Sequence, residues 1–189
     1  MSTFEKAIPI ILKHEGGYVN NKNDPGGVTN FGVSLRFLKD HLEDGDFDGD
    51  GDVDAQDIAN MTIRNAMAIY HKHWWVKYGY GRIVDQTIAT KIFDFSVNMG
   101  ASRAHKLLQQ ALNRAFGMRL DIDGIVGPAT IRVINAVTDG SGEQQLLTAY
   151  CDEAWAFYQR LIANKPTLAV FTRGWKSRAY GIKTANSIG

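Results

Sequence analysis

The apolar residues of this chain recur mostly at steps of three and four, which is the spacing of one face of an α-helix. The first such face runs from Phe4 to Leu12, and Gly16 should end that helix. Further helical patterns cover residues 34–42, 62–77, 85–98, 102–116, 128–137 and 143–163, and another begins at about residue 174. Strand-like alternation occurs only from Tyr18 to Val33, around a DPGG turn. The pattern predicts a mainly α protein with one small β-hairpin.

Length, composition and charge narrow the class of protein. The chain has 189 residues, 44% of them hydrophobic and only four of them proline, which is enough for one sizeable core or two small lobes. A net charge of +1 provides no strong field, so we expect no sequence-independent binding to nucleic acid or acidic lipid. The single cysteine, Cys151, lies on an apolar helix pattern and is predicted to be buried packing.

Candidate chemistry is concentrated in the segment HEGGYVNNKNDPGGVTNFGVS, residues 14–34. Glu15 precedes two glycines that can end a helix, which would leave its carboxyl group at the mouth of the following loop. Asp24 starts the DPGG turn and Thr29 follows it, so a hairpin could bring both back over Glu15. A proton-donating acid, a second carboxylate and a hydroxyl group are what glycoside hydrolysis needs. An ordinary helix cap and glycine turn, with Asp24 capping its own backbone, explains the residues equally well.

The same segment resembles the signature of the glycoside hydrolase 108 family of N-acetylmuramidases, which includes phage endolysins and bacterial muramidases. Its spacing of glutamate, aspartate and threonine is also similar to that of phage-type lysozymes, with one residue fewer between Asp24 and Thr29. Residues 93–113 and 120–134 resemble the peptidoglycan-binding-type half that accompanies the family. The resemblance implies a lysozyme-like helical fold that hydrolyses the β-1,4 bond between N-acetylmuramic acid and N-acetylglucosamine in bacterial peptidoglycan. It also implies that Glu15 is the general acid.

The resemblance divides the chain and adds site residues. A catalytic lobe is predicted over residues 1–92 and a helical peptidoglycan-binding-type half over residues 93–189. Asp94 and Asn98 lie one helical turn apart and match polar positions of the family pattern, although capping or network roles suit them equally. Besides Glu15, the predicted catalytic residues are Asp24 and Thr29, and the predicted substrate-binding residues are Tyr18, Asn30, Asp94 and Asn98.

Histidines offer a weaker alternative chemistry. His71 and His73 stand two residues apart on a helix pattern and therefore point to different sides. His14 is not part of an HExxH pattern, and no third zinc ligand accompanies His71 and His73. We therefore expect no zinc site.

An acidic stretch departs from the family pattern. From Asp46 to Asp57 the sequence DFDGDGDVDAQD fits the twelve-position EF-hand loop, with Gly51 at position six and the apolar Val53 at position eight. An acidic solvated turn is the alternative, but so many carboxylates would repel each other without a cation. Asp57 replaces the usual glutamate at position twelve, as in the dockerin version of the loop. The predicted calcium ligands are Asp46, Asp48, Asp50, Asp54 and Asp57, with Asp52 contributing its backbone carbonyl.

Two other functions remain open. A lytic transglycosylase would cut the same bond with an acid glutamate but without water, and a calcium-dependent wall-binding protein would cut nothing. The N-terminal apolar stretch is broken by Glu5, Pro9 and Lys13 and does not fit a signal peptide or a membrane span. We therefore expect a monomer without direct membrane insertion that is made in the cytoplasm and released through a holin or a secretion system.

Overall fold

The computed structural model of the protein describes residues 1–19 and 27–181. The described part is mainly helical, with one two-stranded antiparallel sheet, so the predicted lysozyme-like helical class with a small hairpin is confirmed. The helices are α1 (Phe4–Glu15), α2 (Leu35–Lys39), α3 (Ala55–Asn60), α4 (Ile63–Tyr70), α5 (Gln86–Met99), α6 (Ala101–Phe116), α7 (Pro128–Val137), α8 (Glu143–Asn164) and α9 (Thr172–Tyr180). The strands are β1 (Thr29–Asn30) and β2 (Val33–Ser34).

The chain divides into two compact units. Residues 8–73 form one unit, and residues 1–7 with the chain from residue 74 onward form the other. The first unit contains the hairpin and the acidic stretch, and the second contains the longest helices. The functional division predicted after residue 92 stays a prediction.

Local capping explains where several helices begin. The Ser34 side chain accepts a hydrogen bond from the Phe37 amide at the start of α2, and the Asp85 side chain accepts one from the Ile88 amide at the start of α5. Pro128 opens α7, because a first-turn residue needs no backbone N–H donor. These caps place α5 and α7 within two residues of the predicted bounds.

Two predicted helices change character before they end. The pattern over residues 34–42 gives only the short α2, followed by a 3₁₀ turn at Leu42–Asp44. The pattern over residues 62–77 gives α4, which widens into a π-helical segment at His71–Val76. Periodicity does not register such changes, because apolar spacing is similar in the α-helical and widened turns.

The larger unit is built around α5, α6 and α8. Helix α6 packs against both α5 and α8, and the fully buried side chains of Phe93, Leu108 and Tyr150 lie in the core. Cys151 of α8 is also buried, and burial raises the pKa of its thiol to about 11. The thiol is therefore packing in this fold, as the sequence suggested.

A buried polar chain crosses the same unit. His105 Nδ1 lies 2.9 Å from the Gly124 carbonyl oxygen, and His105 Nε2 lies 2.8 Å from the Tyr80 hydroxyl. Since a carbonyl only accepts, Nδ1–H donates to Gly124, and the Tyr80 hydroxyl in turn donates to Ser96 Oγ at 2.7 Å. Burial lowers the pKa of His105, and the Gly124 hydrogen bond offsets this only in part.

This lowered pKa predicts acid sensitivity of the fold. The unfolded chain takes up the His105 proton near pH 6.5, before the folded chain does, so stability is complete above that pH and falls below it. The free energy of unfolding should change by at most about 1.4 kcal/mol per pH unit. Each kcal/mol corresponds to roughly 2–4 °C in melting temperature for a chain of this size. Melting curves between pH 7.5 and pH 5 would measure this change. H105Q should lose the part of the pH dependence that His105 causes. An unchanged pH dependence in that variant would show that other titratable groups cause the acid sensitivity.

Candidate active site

Glu15 is the last residue of α1, and its side chain is half-buried. The helix ends there because Gly16 takes a left-handed conformation with φ of 75°, which favours glycine. The sequence therefore places the Glu15 carboxyl group at a helix terminus and not along a helix side, as predicted from the two glycines.

The hairpin beside Glu15 pairs on both sides of β1. The Val19 amide donates to the Thr29 carbonyl at 2.8 Å, and the Thr29 amide donates back at 2.9 Å. On its other side Thr29 pairs with Ser34 of β2. Thr29 is half-buried, whereas Tyr18 exposes 50% of its surface. The predicted return strand is thus present, but Asp24 and its DPGG turn lie outside the described residues.

The hairpin turn, Phe31 and Gly32, contacts Glu15 directly. Both residues have positive φ, 49° and 80°, as in the tight turns that suit twisted hairpins. A Cβ added to Gly32 would lie 2.6 Å from Glu15 Cβ and 2.6 Å from the Tyr70 hydroxyl oxygen. Only glycine fits here, because any side chain would displace one of these two groups. Tyr70 in turn donates to the Phe31 carbonyl at 3.0 Å.

Asn30 lies in β1 next to this turn and is buried. Its side-chain amide donates to the carbonyl oxygens of Ile58 at 3.0 Å and Met61 at 3.4 Å. These bonds attach the hairpin to α3 and to the residue that follows that helix. The structure thus gives Asn30 partners within the protein, and its predicted contact with substrate stays a prediction.

The other two predicted substrate-binding residues belong to the larger unit. Asp94 is fully buried, with one carboxylate oxygen 3.6 Å from the Arg178 guanidinium group. Asn98 is exposed and accepts a hydrogen bond from the Tyr158 hydroxyl at 2.7 Å. Burial and the neighbouring cation give Asp94 a role in attaching α9 to α5, while Asn98 keeps a surface position.

The acidic loop, residues 46–57, follows the 3₁₀ turn and runs into α3, and its EF-hand character stays a prediction. Gly51 at position six has φ of 96°, which allows the sharp turn that the EF-hand pattern requires there. Asp46 accepts from the amides of Gly49 at 2.7 Å and Gly51 at 3.1 Å, which folds the loop back over its first carboxylate. Val53 is buried, as expected of the apolar position eight.

Asp57 closes the acidic loop at its far end. It is 1% exposed and accepts from the Phe47 amide at 2.6 Å and the Asp54 amide at 2.8 Å. Asp54 caps α3 by accepting from the Gln56 amide at 2.6 Å. The carboxylate oxygens form two close groups, each spanning no more than 4.8 Å: Asp46, Asp48 and Asp50, and Asp52, Asp54 and Asp57. Repulsion from Asp50 and other loop carboxylates raises the pKa of Asp52.

An ion pair and a hydrogen bond attach the segment that leads into the acidic loop. Asp44 lies 2.7 Å from His73 Nε2 and 2.6 Å from Lys72 Nζ. Partial burial alone would raise the pKa of Asp44, but these hydrogen bonds hold it below its usual range. His73, one of the histidines considered for zinc, thus anchors the 3₁₀ turn to the π-helical segment.

The comparisons with known proteins bear directly on this site. Residues 8–100, which include Glu15, the hairpin and the acidic loop, match the family described as Glycosyl hydrolase 108. This part of the chain belongs to the glycosyl hydrolase 108 family. Residues 103–180 match a second family, described as Predicted Peptidoglycan domain. A glycosyl hydrolase 108 domain joined to a peptidoglycan domain makes the chain a peptidoglycan hydrolase, that is, a glycosidase that acts on the bacterial cell wall.

A solved structure has the same fold as this glycosyl hydrolase 108 protein. It is that of SagA from Brucella abortus, which is 27% identical, with a TM-score of 0.71. The match covers 93% of this chain and 88% of that one. No curated protein matches the sequence. Among the described residues, no helix is both long and apolar enough to cross a membrane.

Two residues at the site of the glycosyl hydrolase 108 domain were not singled out from the sequence. Gly32 lies in the quoted motif as part of NFG, and that glycine was the available signal. Tyr70 lies 55 positions after Glu15, on the apolar face of α4, and nothing local distinguishes it from other buried aromatic residues. Both were missed because they act through contacts that are distant in sequence.

Proposed function

We propose that this peptidoglycan hydrolase cleaves the β-1,4 bond between N-acetylmuramic acid and N-acetylglucosamine, with Glu15 as general acid. The observation that supports this most is the place of Glu15. Its carboxyl group lies at the end of α1, inside the glycosyl hydrolase 108 match. The stem of its side chain, that is, Cβ and Cγ, packs against the hairpin turn. A carboxyl group held in this way can present its proton to one face of a bound sugar.

In this reaction the protonated Glu15 donates to the glycosidic oxygen while the bond to the anomeric carbon breaks. A second group must then stabilise the positive charge on the sugar or orient the attacking water. Thr29, in the strand beside the hairpin turn, offers a hydroxyl group, and Asp24 is the candidate carboxylate. The distance between the two carboxyl groups decides between retention and inversion.

Analysis of the reaction products tests the proposal. Purified peptidoglycan sacculi digested with the enzyme should release fragments that carry reducing-end muramic acid. Fragments with a 1,6-anhydro end would instead indicate a lytic transglycosylase. Binding to sacculi without any released fragment would indicate a wall-binding protein. Reducing-end N-acetylglucosamine would place cleavage at the other β-1,4 bond of the glycan.

Thr29 and Asp24 should matter less than Glu15. T29A and D24N should each lower the rate of wall lysis, but by less than E15Q, because they stabilise or orient whereas Glu15 supplies the proton. Initial rates on sacculi at equal enzyme concentration measure the three losses. A variant that lyses walls at the parental rate would reduce its residue to a turn or strand role.

We also propose that the acidic loop binds calcium. The turn at Gly51, the buried Asp57 and the two close groups of carboxylates suit a hard divalent cation with oxygen ligands. The residues that would hold it are Asp46, Asp48, Asp50, Asp54 and Asp57, with the backbone carbonyl of Asp52. Bound calcium would neutralise the repulsion that raises the pKa of Asp52. Since the loop leads directly into α3, the cation would also stabilise the helix to which Asn30 attaches the hairpin.

A further inference from the structure

The Gly32 backbone is in direct contact with the stem of the proposed general acid. A Cβ built on Gly32 would lie within 2.7 Å of both Cβ and Cγ of Glu15, so no space separates the turn from the stem. A shift of the hairpin turn would therefore shift the Glu15 carboxyl group. Displacement of a reacting group by about 1 Å can lower an enzymatic rate roughly 100-fold.

The hairpin turn does not hold this conformation by local preference alone. Phe31 has φ of 49°, in the left-handed region that costs a residue with a Cβ about 1–2 kcal/mol. Turns of this kind favour asparagine, aspartate or glycine at that position. Contacts from the surrounding structure must therefore stabilise the turn, as is usual for strained backbone near functional sites.

Two side chains provide such contacts from outside the turn. Tyr70, which is 1% exposed, donates from α4 to the carbonyl oxygen of Phe31 itself. Asn30, which is 6% exposed, donates to the carbonyl oxygens of Ile58 and Met61 and so fixes the strand that enters the turn. The first bond fixes the tip of the turn and the second fixes its base.

We propose that Tyr70 and Asn30 are positioning residues for Glu15, which hold the hairpin turn at the place where its glycine supports the stem of the acid. This inference rests on the proposed role of Glu15. It assigns Asn30 to the geometry of the acid and not to the recognition of sugar. Loss of either residue should therefore lower kcat and leave KM unchanged.

Y70F tests the proposal with the smallest possible change, since it removes only the hydroxyl group. On soluble, uncross-linked glycan strands, kcat should fall about 10- to 100-fold at unchanged KM. Y150F is the matched control, because Tyr150 also donates a buried hydroxyl to a backbone carbonyl, that of Ala104 at 3.0 Å, but in the other unit. It should lower the melting temperature about as much as Y70F and leave kcat at the parental value. Equal kcat values for the two variants would overturn the proposal.

N30D extends the test to the base of the turn. It keeps the shape of the side chain but loses both donated hydrogen bonds. N113D is its control, since Asn113 likewise donates to a carbonyl, that of Leu120 at 2.8 Å, in the larger unit. N30D should lower kcat, whereas N113D should not. A rise in KM at constant kcat would instead make Asn30 a substrate contact and contradict its positioning role.

Combination with E15Q separates positioning from general damage. If Tyr70 acts through Glu15, Y70F should reduce the residual activity of E15Q less than 2-fold, although it costs at least 10-fold in the parent enzyme. A full additional loss in the E15Q background would refute positioning while leaving the acid assignment intact. Parental activity in E15Q alone would refute the acid assignment, which is a separate and recognisable failure.

Discussion

Replacement of Glu15 by glutamine should lower the rate of wall lysis by about 100- to 10,000-fold, the usual contribution of general acid catalysis. Glutamine keeps the size of the stem that packs against Gly32, so the hairpin turn should stay in place. It cannot give up a proton to the glycosidic oxygen. Release of fragments from purified sacculi, together with the melting temperature, measures loss of chemistry separately from loss of fold.

The matched control for this prediction lies on the same helix. E5Q makes the same change at an exposed position in the first turn of α1, far along the chain from the hairpin. It should lyse walls at the parental rate. A folded E15Q protein that is as active as E5Q would remove Glu15 from the mechanism, and the acid would have to be sought elsewhere in residues 8–100.

Calcium should raise the melting temperature of the enzyme, and a chelator should lower it. A ligand that binds only the folded state at about 100 times its dissociation constant adds about 2.7 kcal/mol, or roughly 5–10 °C for a chain of this size. The loop should respond strongly because its carboxylates repel one another, as the raised pKa of Asp52 indicates. Melting curves with chelator, with calcium and with magnesium provide the measurement.

The double variant D46A/D50A should abolish this response. Its control, D121A/D139A, removes two exposed carboxylates outside the loop and changes the net charge equally. Lysis rates should follow the same pattern, because the acidic loop leads into α3. The Ile58 carbonyl oxygen of that helix accepts a hydrogen bond from the Asn30 side chain, which attaches the hairpin. Indifference of both melting temperature and lysis to the chelator, with no calcium binding by calorimetry, would rule out the site.

The elements that the sequence predicted well are those with strong local signals. Helix α7 begins at Pro128 and ends at Val137 as predicted, because a proline in the first turn and regular apolar spacing act within a few residues. The end of α1 at Glu15 follows from the glycine pair in the same way. The positive φ of Gly51 and the close carboxylates of the acidic loop also arise within twelve consecutive residues, while calcium binding there stays a prediction.

What the sequence did not predict depends on contacts between distant residues. The contact of Gly32 with Glu15 joins two segments separated by the DPGG turn, and the bond from Tyr70 to Phe31 spans 39 positions. Asp94 matched a polar family position, but it is fully buried and lies 3.6 Å from Arg178 in α9, 84 positions away. Periodicity and motif spacing carry no information about such pairs.

The buried thiol of Cys151 makes this protein convenient for site-specific labelling. Burial raises the pKa of this thiol to about 11, so it is largely un-ionised at neutral pH, and the sulfur is shielded as well. A cysteine introduced at an exposed position, such as Lys39 in one unit or Thr148 in the other, would therefore react with a maleimide dye long before Cys151 does. Pairs of such labels would report the distance between the two units during glycan binding, in an enzyme that keeps its native cysteine.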